Sequence, residues 1–400
     1  MVIMSRENGG GLSFITMLVI IVSITFAVRG SNNMYMTEIP LIARYVFHYG
    51  EFFVGSISAL AAVGTFLMSA LINSRLRSRE RRYVFIASSL IYAIIFPLFY
   101  LSNAITIWPV VFVAGFSLGA LMPNIITSAG LLPDRKQRER LLSIYTLTLS
   151  ISLVVGPALE GYLLGFMPLL KTFLVFSVFP VIVFALSFFL KFPDENGARK
   201  IQSGDVVRNH GFRAAVYNIM TYNIPFAFIL TFGGIYAMSR FGVTYSTVTL
   251  MFASFFFTSF LSRMILAVRP PEDIWKLMML SVVITTIGLI GIVESFNFLM
   301  LEVFFLLLGF PHGFTYPLSV ISISRSFDMQ ARNAANSLFF SIMMAVGAVM
   351  PFASGGIVSA IGLRYSFAAL IPVILILLYM LHHEMSLVSH GKISGGASPS

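Results

Sequence analysis

Cysteine is absent from this 400-residue sequence, which excludes disulfides, thiolate metal sites and thiol catalysis. Charge is scarce: Asp, Glu, Lys and Arg make up 10% of the chain, where a soluble domain carries roughly a quarter. No Gly-x-x-x-x-Gly-Lys phosphate loop, nucleophile–base pair or metal-ligand cluster is visible. A membrane-embedded enzyme and an ATP-driven pump acting alone therefore lack support, and no cofactor or metal is expected. The histidines are scattered, and the neighbours His382 and His383 fall at a helix end, where snorkelling or pairing with the helix dipole explains them better than metal binding.

What fills the chain instead is apolar: 58% of its residues are hydrophobic and 40 are phenylalanine. Runs of about 20 apolar residues, the length that crosses a hydrocarbon core as a helix, recur at short intervals. Without the alternation of a membrane strand, the reading is an all-α integral membrane protein of twelve transmembrane helices. The spans fall near 13–36, 52–73, 83–102, 107–129, 141–165, 168–190, 212–238, 245–267, 275–293, 296–324, 334–359 and 365–382. With the N-terminus inside, 21 Lys and Arg collect on one face, Arg263 among them, and 4 on the other, leaving Arg29 inside the membrane. This bias predicts both termini in the cytoplasm and accounts for the net charge of +10 without a nucleic-acid partner; the expected location is the plasma membrane.

A polar stretch, 192–210, divides a six-span bundle, 1–191, from a second, 211–384, and the tail, 385–400, has the composition of a disordered end. The halves repeat. A shift of 194 residues, without a gap, lays Gly115 on Gly309, Gly119 on Gly313, Pro123 on Pro317, Asp134 on Asp328, Arg138 on Arg332, Pro157 on Pro351 and Gly161 on Gly355. Duplicated halves of matching topology are a common construction of secondary transporters, whose solute site lies where the repeats meet.

On these features the chain resembles the major facilitator superfamily from its first span to its twelfth, which implies two six-helix bundles rocking about a central cavity. Gly156-Pro157-Ala158-Leu159-Glu160-Gly161 looks like the Gly-Pro-x-x-Gly-Gly signature of the drug/proton antiporter branch, with Glu160 in place of one glycine. Proline bends a helix and glycine admits a close neighbour, so this element can seal one end of the cavity. The loop containing Arg75 and Arg79 resembles a degenerate form of the family's basic loop, with Asn73 where Asp is usual. The resemblance implies gating roles for Gly156, Pro157, Gly161, Arg75, Arg79, Asp134, Arg138, Asp328 and Arg332. Where many proton-coupled members carry a membrane arginine, this chain has Val111, so coupling through that residue is not expected.

Ionisable groups in hydrocarbon usually face a water-filled cavity or a partner. Arg29 stands about 16 residues, roughly 24 Å, into the first span, with Asn33 one turn on; its alternative is a structural pair with a buried carboxylate. Asn218 and Tyr222 share a face of the seventh span, and His312 and Tyr316 a face of the tenth. Each set can bind substrate or knit helices together. Glu160 and Glu302 are candidates for proton coupling, since a carboxyl in an apolar setting is more readily protonated than one in water. The expected function is secondary active transport of a small solute through the bilayer by alternating access. The coupling would be to protons or another ion, in a monomer, with either efflux of drug-like compounds, as an antiporter, or exchange of an organic anion. The alternative is a non-transporting sensor, receptor or lipid-handling protein on the same fold.

Overall fold

Every backbone N–H and C=O in hydrocarbon must find its partner within the protein, and an unbroken helix does this segment by segment. The computed structural model describes residues 14–132, 134–192, 203–269, 271–327 and 329–395. Among them, eleven helical runs are long and apolar enough to cross a membrane. Ten are single crossings: α1 (Phe14–Val46), α2 (Glu51–Arg75), α3 (Arg79–Leu98), α4 (Ile107–Ala129), α5 (Lys136–Leu164), α6 (Leu169–Ser187), α7 (His210–Phe241), α8 (Tyr245–Val268), α9 (Ile274–Glu294) and α10 (Phe298–Ser326). The last run, Ala335–Val388, is 54 residues long and breaks at Gly362, whose φ of 77° suits glycine and few other residues. It is two crossings, α11 before Gly362 and α12 after it, so the count is twelve.

Polar residues start the helices. The side chains of Asp134, Asn209, Asp273 and Asn297 accept backbone N–H groups in the first turns of α5, α7, α9 and α10, satisfying donors the helix leaves open. Large apolar side chains such as Ile94, Val181, Ile287 and Ile376 stay exposed on α3, α6, α9 and α12; on a membrane protein this is the lipid-facing surface.

Helices α1–α6 form one bundle and α7–α12 the other, with a six-residue helix, Ser203–Arg208, in the connection. The helix after Gly362 continues to Gly395, past 384, where a disordered tail was expected to begin. It is tied down there: buried Glu384 meets His210 Nδ1 at 2.6 Å and Arg213 at 3.5 Å, both at the start of α7. Residues 193–202 of the expected linker and 396–400 of the expected tail lie outside the described residues.

The repeat reappears as packing. A Cβ on Gly115 would fall on the carbonyl oxygen of Ala61, and one on Gly119 on that of Thr65, pressing α4 against α2. In the second bundle Gly309 stands on Phe255 and Gly313 on Ser259, pressing α10 against α8. All four pairs obey the 194-residue shift. Small residues let membrane helices approach this closely, so Gly309→Leu should cost about 1–3 kcal/mol through overpacking, read as a lower thermal midpoint in detergent. Gly356→Ala, whose Cβ would meet nothing within 4 Å, is the matched control and should melt like the parent chain.

The bundles are closed on each other at the membrane face where α1 and α7 end. Gly161 of α5 faces Thr249 and Leu250 of α8, and its repeat mate Gly355 of α11 faces Glu51 and Phe52 of α2. Ser246 Oγ donates to the Gly161 carbonyl at 2.6 Å. The rings of Phe52 and Phe352 meet at 5.3 Å, and those of Tyr45 and Tyr245 at 6.0 Å.

Candidate functional site

Below the closed end, α1 and α8 bring two arginines to the boundary between the bundles. Arg29 lies midway along α1 and Arg263 in the last turns of α8, and both are partly exposed. They are near enough for the charge of Arg29 to act on Arg263. Tyr145 of α5 stands within hydrogen-bonding reach of Arg29. Arg263 Nη1 reaches Ser150 Oγ of α5, across the boundary, at 3.4 Å, while its Nε is buried with no acceptor. Tyr316 of α10 lies in the field of both guanidinium groups, and Tyr222 and His312 in that of Arg263. Among the described residues, neither arginine forms an ion pair with a carboxylate.

Arg263 was counted from sequence among the charges on the cytoplasmic face; the structure sets it inside α8, facing the other bundle. The bias of charge between the two faces survives its removal. Two guanidinium groups without a carboxylate repel each other, and each pays for desolvation. Each guanidinium is a planar fork of donors, and together with the tyrosine hydroxyls they suit a carboxylate or phosphate.

Three other residues expected from sequence to touch substrate are engaged in joining helices. Asn33 Nδ2 donates to the Ser152 carbonyl of α5 at 3.3 Å. Asn218 Nδ2 donates to the Thr315 carbonyl at 3.0 Å and to Ser319 Oγ at 2.8 Å, and the Tyr222 hydroxyl to the Leu308 carbonyl at 2.9 Å. His312 Nδ1 is 2.7 Å from Ser259 Oγ, and its ring lies among Phe226, Phe255 and Phe256, with the Phe226 centroid at 4.5 Å. Beside Phe226 opens a mostly apolar cavity of about 120 Å³ between the bundles, with Tyr35, Ile39, Ala61, Asn223 and Leu230 in its wall.

Glu160 is not beside Arg29. It is fully buried in the first bundle, where it accepts Thr37 Oγ1 at 2.9 Å and lies beside Glu38 of α1, a residue outside the first span as read from sequence, which ended at 36. Glu302, on the second turn of α10, is partly exposed and takes no part in that pair. The signals that could have found the missed residues were faint. Glu38 follows Asn33 and Thr37 on a run of helical spacing, and Arg263 lies four residues beyond Ser259.

The residues given gating roles divide by what they touch. Gly156 packs on Gly30 of α1, where a Cβ would meet the carbonyl oxygen at 3.2 Å, and Pro157 sits within a continuous α5. Gly161 belongs to the seal with α8. Arg75 and Arg79 are exposed, Arg79 lying over the Tyr83 ring; Asn73 instead is buried and accepts Asn124 Nδ2 at 2.8 Å. Asp134 caps α5. Arg138 donates to the Leu132 carbonyl and its repeat mate Arg332 to those of Ser324 and Phe327, each holding the loop before its helix. Asp328 lies outside the described residues.

The profile of the Major Facilitator Superfamily matches residues 21–293. No curated protein matches the sequence, but solved structures share the fold. A bacterial homolog of the human lysosomal transporter Spinster, in an inward-facing and occupied conformation, superposes with a TM-score of 0.75 at 12% identity, over 94% of this chain and 98% of that one. A mutant of the nucleoside transporter NupG gives 0.71 at 13% identity, over 93% and 100%. The human organic anion transporter MFSD10 gives 0.67 at 14% identity, over 93% and 100%. With its profile matched over more than half the sequence and two six-helix bundles meeting at a polar centre, the chain belongs to the Major Facilitator Superfamily of membrane transporters.

Proposed function

We propose that the protein is a secondary carrier of an amphipathic organic anion, held by its charged group between Arg29 and Arg263 and by its apolar body in the cavity beside Phe226. The observation that carries this reading is the meeting of two guanidinium groups from opposite bundles, with tyrosines around them and no paired carboxylate among the described residues. Such a site is costly when empty and is relieved by an anion. A ligand touching both bundles is also bound differently as they rock, which alternating access requires. The neighbour described as an organic anion transporter agrees with the reading, though at its identity the support from this chain's own arginines weighs more.

Export of lipophilic cations, the alternative raised by the helix-five signature, gains nothing from a doubly cationic centre, and the glycines of that signature are accounted for by packing on α1 and α8. The charge bias supports cytoplasmic termini, and we take the membrane to be the plasma membrane. The closed face is then the outer one, and the substrate enters this state from the cytoplasm.

A thermal-shift panel of aliphatic and aromatic carboxylates, phosphate esters, sugars, amino acids and lipophilic cations, run on the purified protein and on Arg29→Ala, tests this. A ligand at 100 times its Kd stabilises by about 2.7 kcal/mol, so an anion should raise the midpoint of the parent chain and lose that effect in the variant. Equal stabilisation of both by a lipophilic cation, with none by any anion, would restore the exporter reading.

A further inference from the structure

Four carboxyl oxygens and two hydroxyl protons meet in the core of the first bundle. Glu38 of α1 and Glu160 of α5 are each 0% exposed, and their carboxyl groups lie close enough to act on each other. Two ionised carboxylates are acceptors only, so side by side they repel, and a single proton would let one donate to the other. Other donors are few. Thr172 Oγ1 of α6 lies 2.8 and 2.9 Å from the two oxygens of Glu38, and Thr37 Oγ1 lies 2.9 Å from Glu160 Oε2. Each hydroxyl has one proton, for which backbone carbonyls compete: Leu169 at Thr172, Asn33 and Met34 at Thr37. Glu160 Oε1 is buried and receives nothing from any ordinary donor.

No cation compensates the pair. Among the described residues the only charged group acting on Glu38 is Glu160, and the only one acting on Glu160 is Glu38. The polar groups facing them are Thr37 from α1 and Thr172 from α6, while α2, α4, α7 and α8 contribute no charge. The two arginines of the anion site act on Tyr145, Tyr316 and each other and not on this pair.

We propose that Glu38 and Glu160 are a proton-binding site that holds one proton between them, and that this proton locks the membrane face at which the bundles are closed. The placement supplies the link. Glu160 immediately precedes Gly161, whose carbonyl accepts Ser246 of α8 and whose Cα faces Thr249. Glu38 is three residues before Leu41, whose side chain would come within 3.3 Å of a Cβ on Gly234 of α7. Both segments that carry the pair therefore carry a contact between the bundles.

Loss of the shared proton leaves two adjacent negative charges in an apolar core, and hydration is the available relief. Separation of α1 and α5 from α7 and α8 would open a path for water toward them. Opening this face thus delivers the proton to the water on that side, and closing it takes one up. The inference deepens the carrier reading by naming its coupling ion, and rests on it only for the use made of the proton.

Because the chain has no cysteine, spin labels can be attached at Leu101→Cys and Phe296→Cys. Both positions are exposed on loops of the closed face, one in each bundle. Pulsed dipolar spectroscopy of the full chain in nanodiscs, across a pH series, should show the short distance at low pH lost as pH rises. With Glu38→Gln and Glu160→Gln together, or either alone should the pair fail to fold, the short distance should persist at every pH. A distance unchanged by pH in the labelled parent, or an undiminished pH response in the glutamine variants, would overturn the proposal. Repeating the series on Arg29→Ala separates the two readings. A retained pH response there, when no anion stabilises the parent chain, keeps the proton site and removes the anion site; stabilisation of the parent chain by an anion, with no pH response in either protein, does the reverse.

Discussion

Replacing Arg263 with alanine should weaken an anionic ligand by about 2–5 kcal/mol, the usual effect of truncating one partner of a buried charge pair, which is roughly 30-fold to a few thousand-fold in Kd. The fold should survive the change. Arg263 gives its helix no ion pair among the described residues, its Nε has no acceptor, and its one hydrogen bond, to Ser150, is long at 3.4 Å. Removing a cation that repels Arg29 should leave the unliganded protein as stable as before or more so. Isothermal titration with an anion from the ligand panel, beside a thermal melt without ligand, reads both effects. Arg263→Lys should recover only part of the affinity, because an ammonium is a point charge without the planar fork. If the alanine variant bound the anion normally but melted early, Arg263 would be a structural residue.

The second large effect concerns the seal. A Cβ on Gly55 of α2 would fall on the Pro351 carbonyl oxygen of α11 and lie 2.9 Å from the Gly355 Cα. The obstacle is backbone on both sides, which cannot swing away as a side-chain tip would. Gly55→Leu should therefore hold the closed face open. Turnover in proteoliposomes should fall below detection, while anion binding survives, since the arginines lie elsewhere. The labels at Leu101→Cys and Phe296→Cys should report the long distance at every pH. Normal turnover in Gly55→Leu would mean that the seal seen here is not part of the cycle.

Much of this architecture could be read in the sequence because the bilayer leaves few choices. Twelve apolar runs, a charge bias between their ends and a glycine register repeated at 194 residues were all visible, and that register proved to be the packing of α4 on α2 and of α10 on α8. The site was less legible, for reasons that differ by residue. Glu38 was hidden by Thr37 and Pro40, which look like the end of a span. The helix runs through them to Val46, since its neighbours bury the polar side chains: Thr37 and Glu38 both find partners on α5 or α6.

Arg263 was hidden by its place near a helix end, where a basic residue normally belongs to the inner surface; only the facing of α8 toward α5 turns it toward the other bundle. Asn33, Asn218 and Tyr222 were polar and intramembrane as read, but which neighbour takes their hydrogen bonds depends on three-dimensional packing. Tyr145, three turns from the signature that drew attention to α5, carries no local mark at all.

On the proposed function, an anion crosses the membrane between Arg29 and Arg263. Counterflow of a radiolabelled anion chosen by the ligand panel, measured in proteoliposomes preloaded with the same unlabelled compound, tests it most directly. Entry should be saturable in the parent chain and at the level of empty liposomes in Arg29→Ala/Arg263→Ala, with the double variant folded by its melt. Equal entry in the two proteins would contradict it.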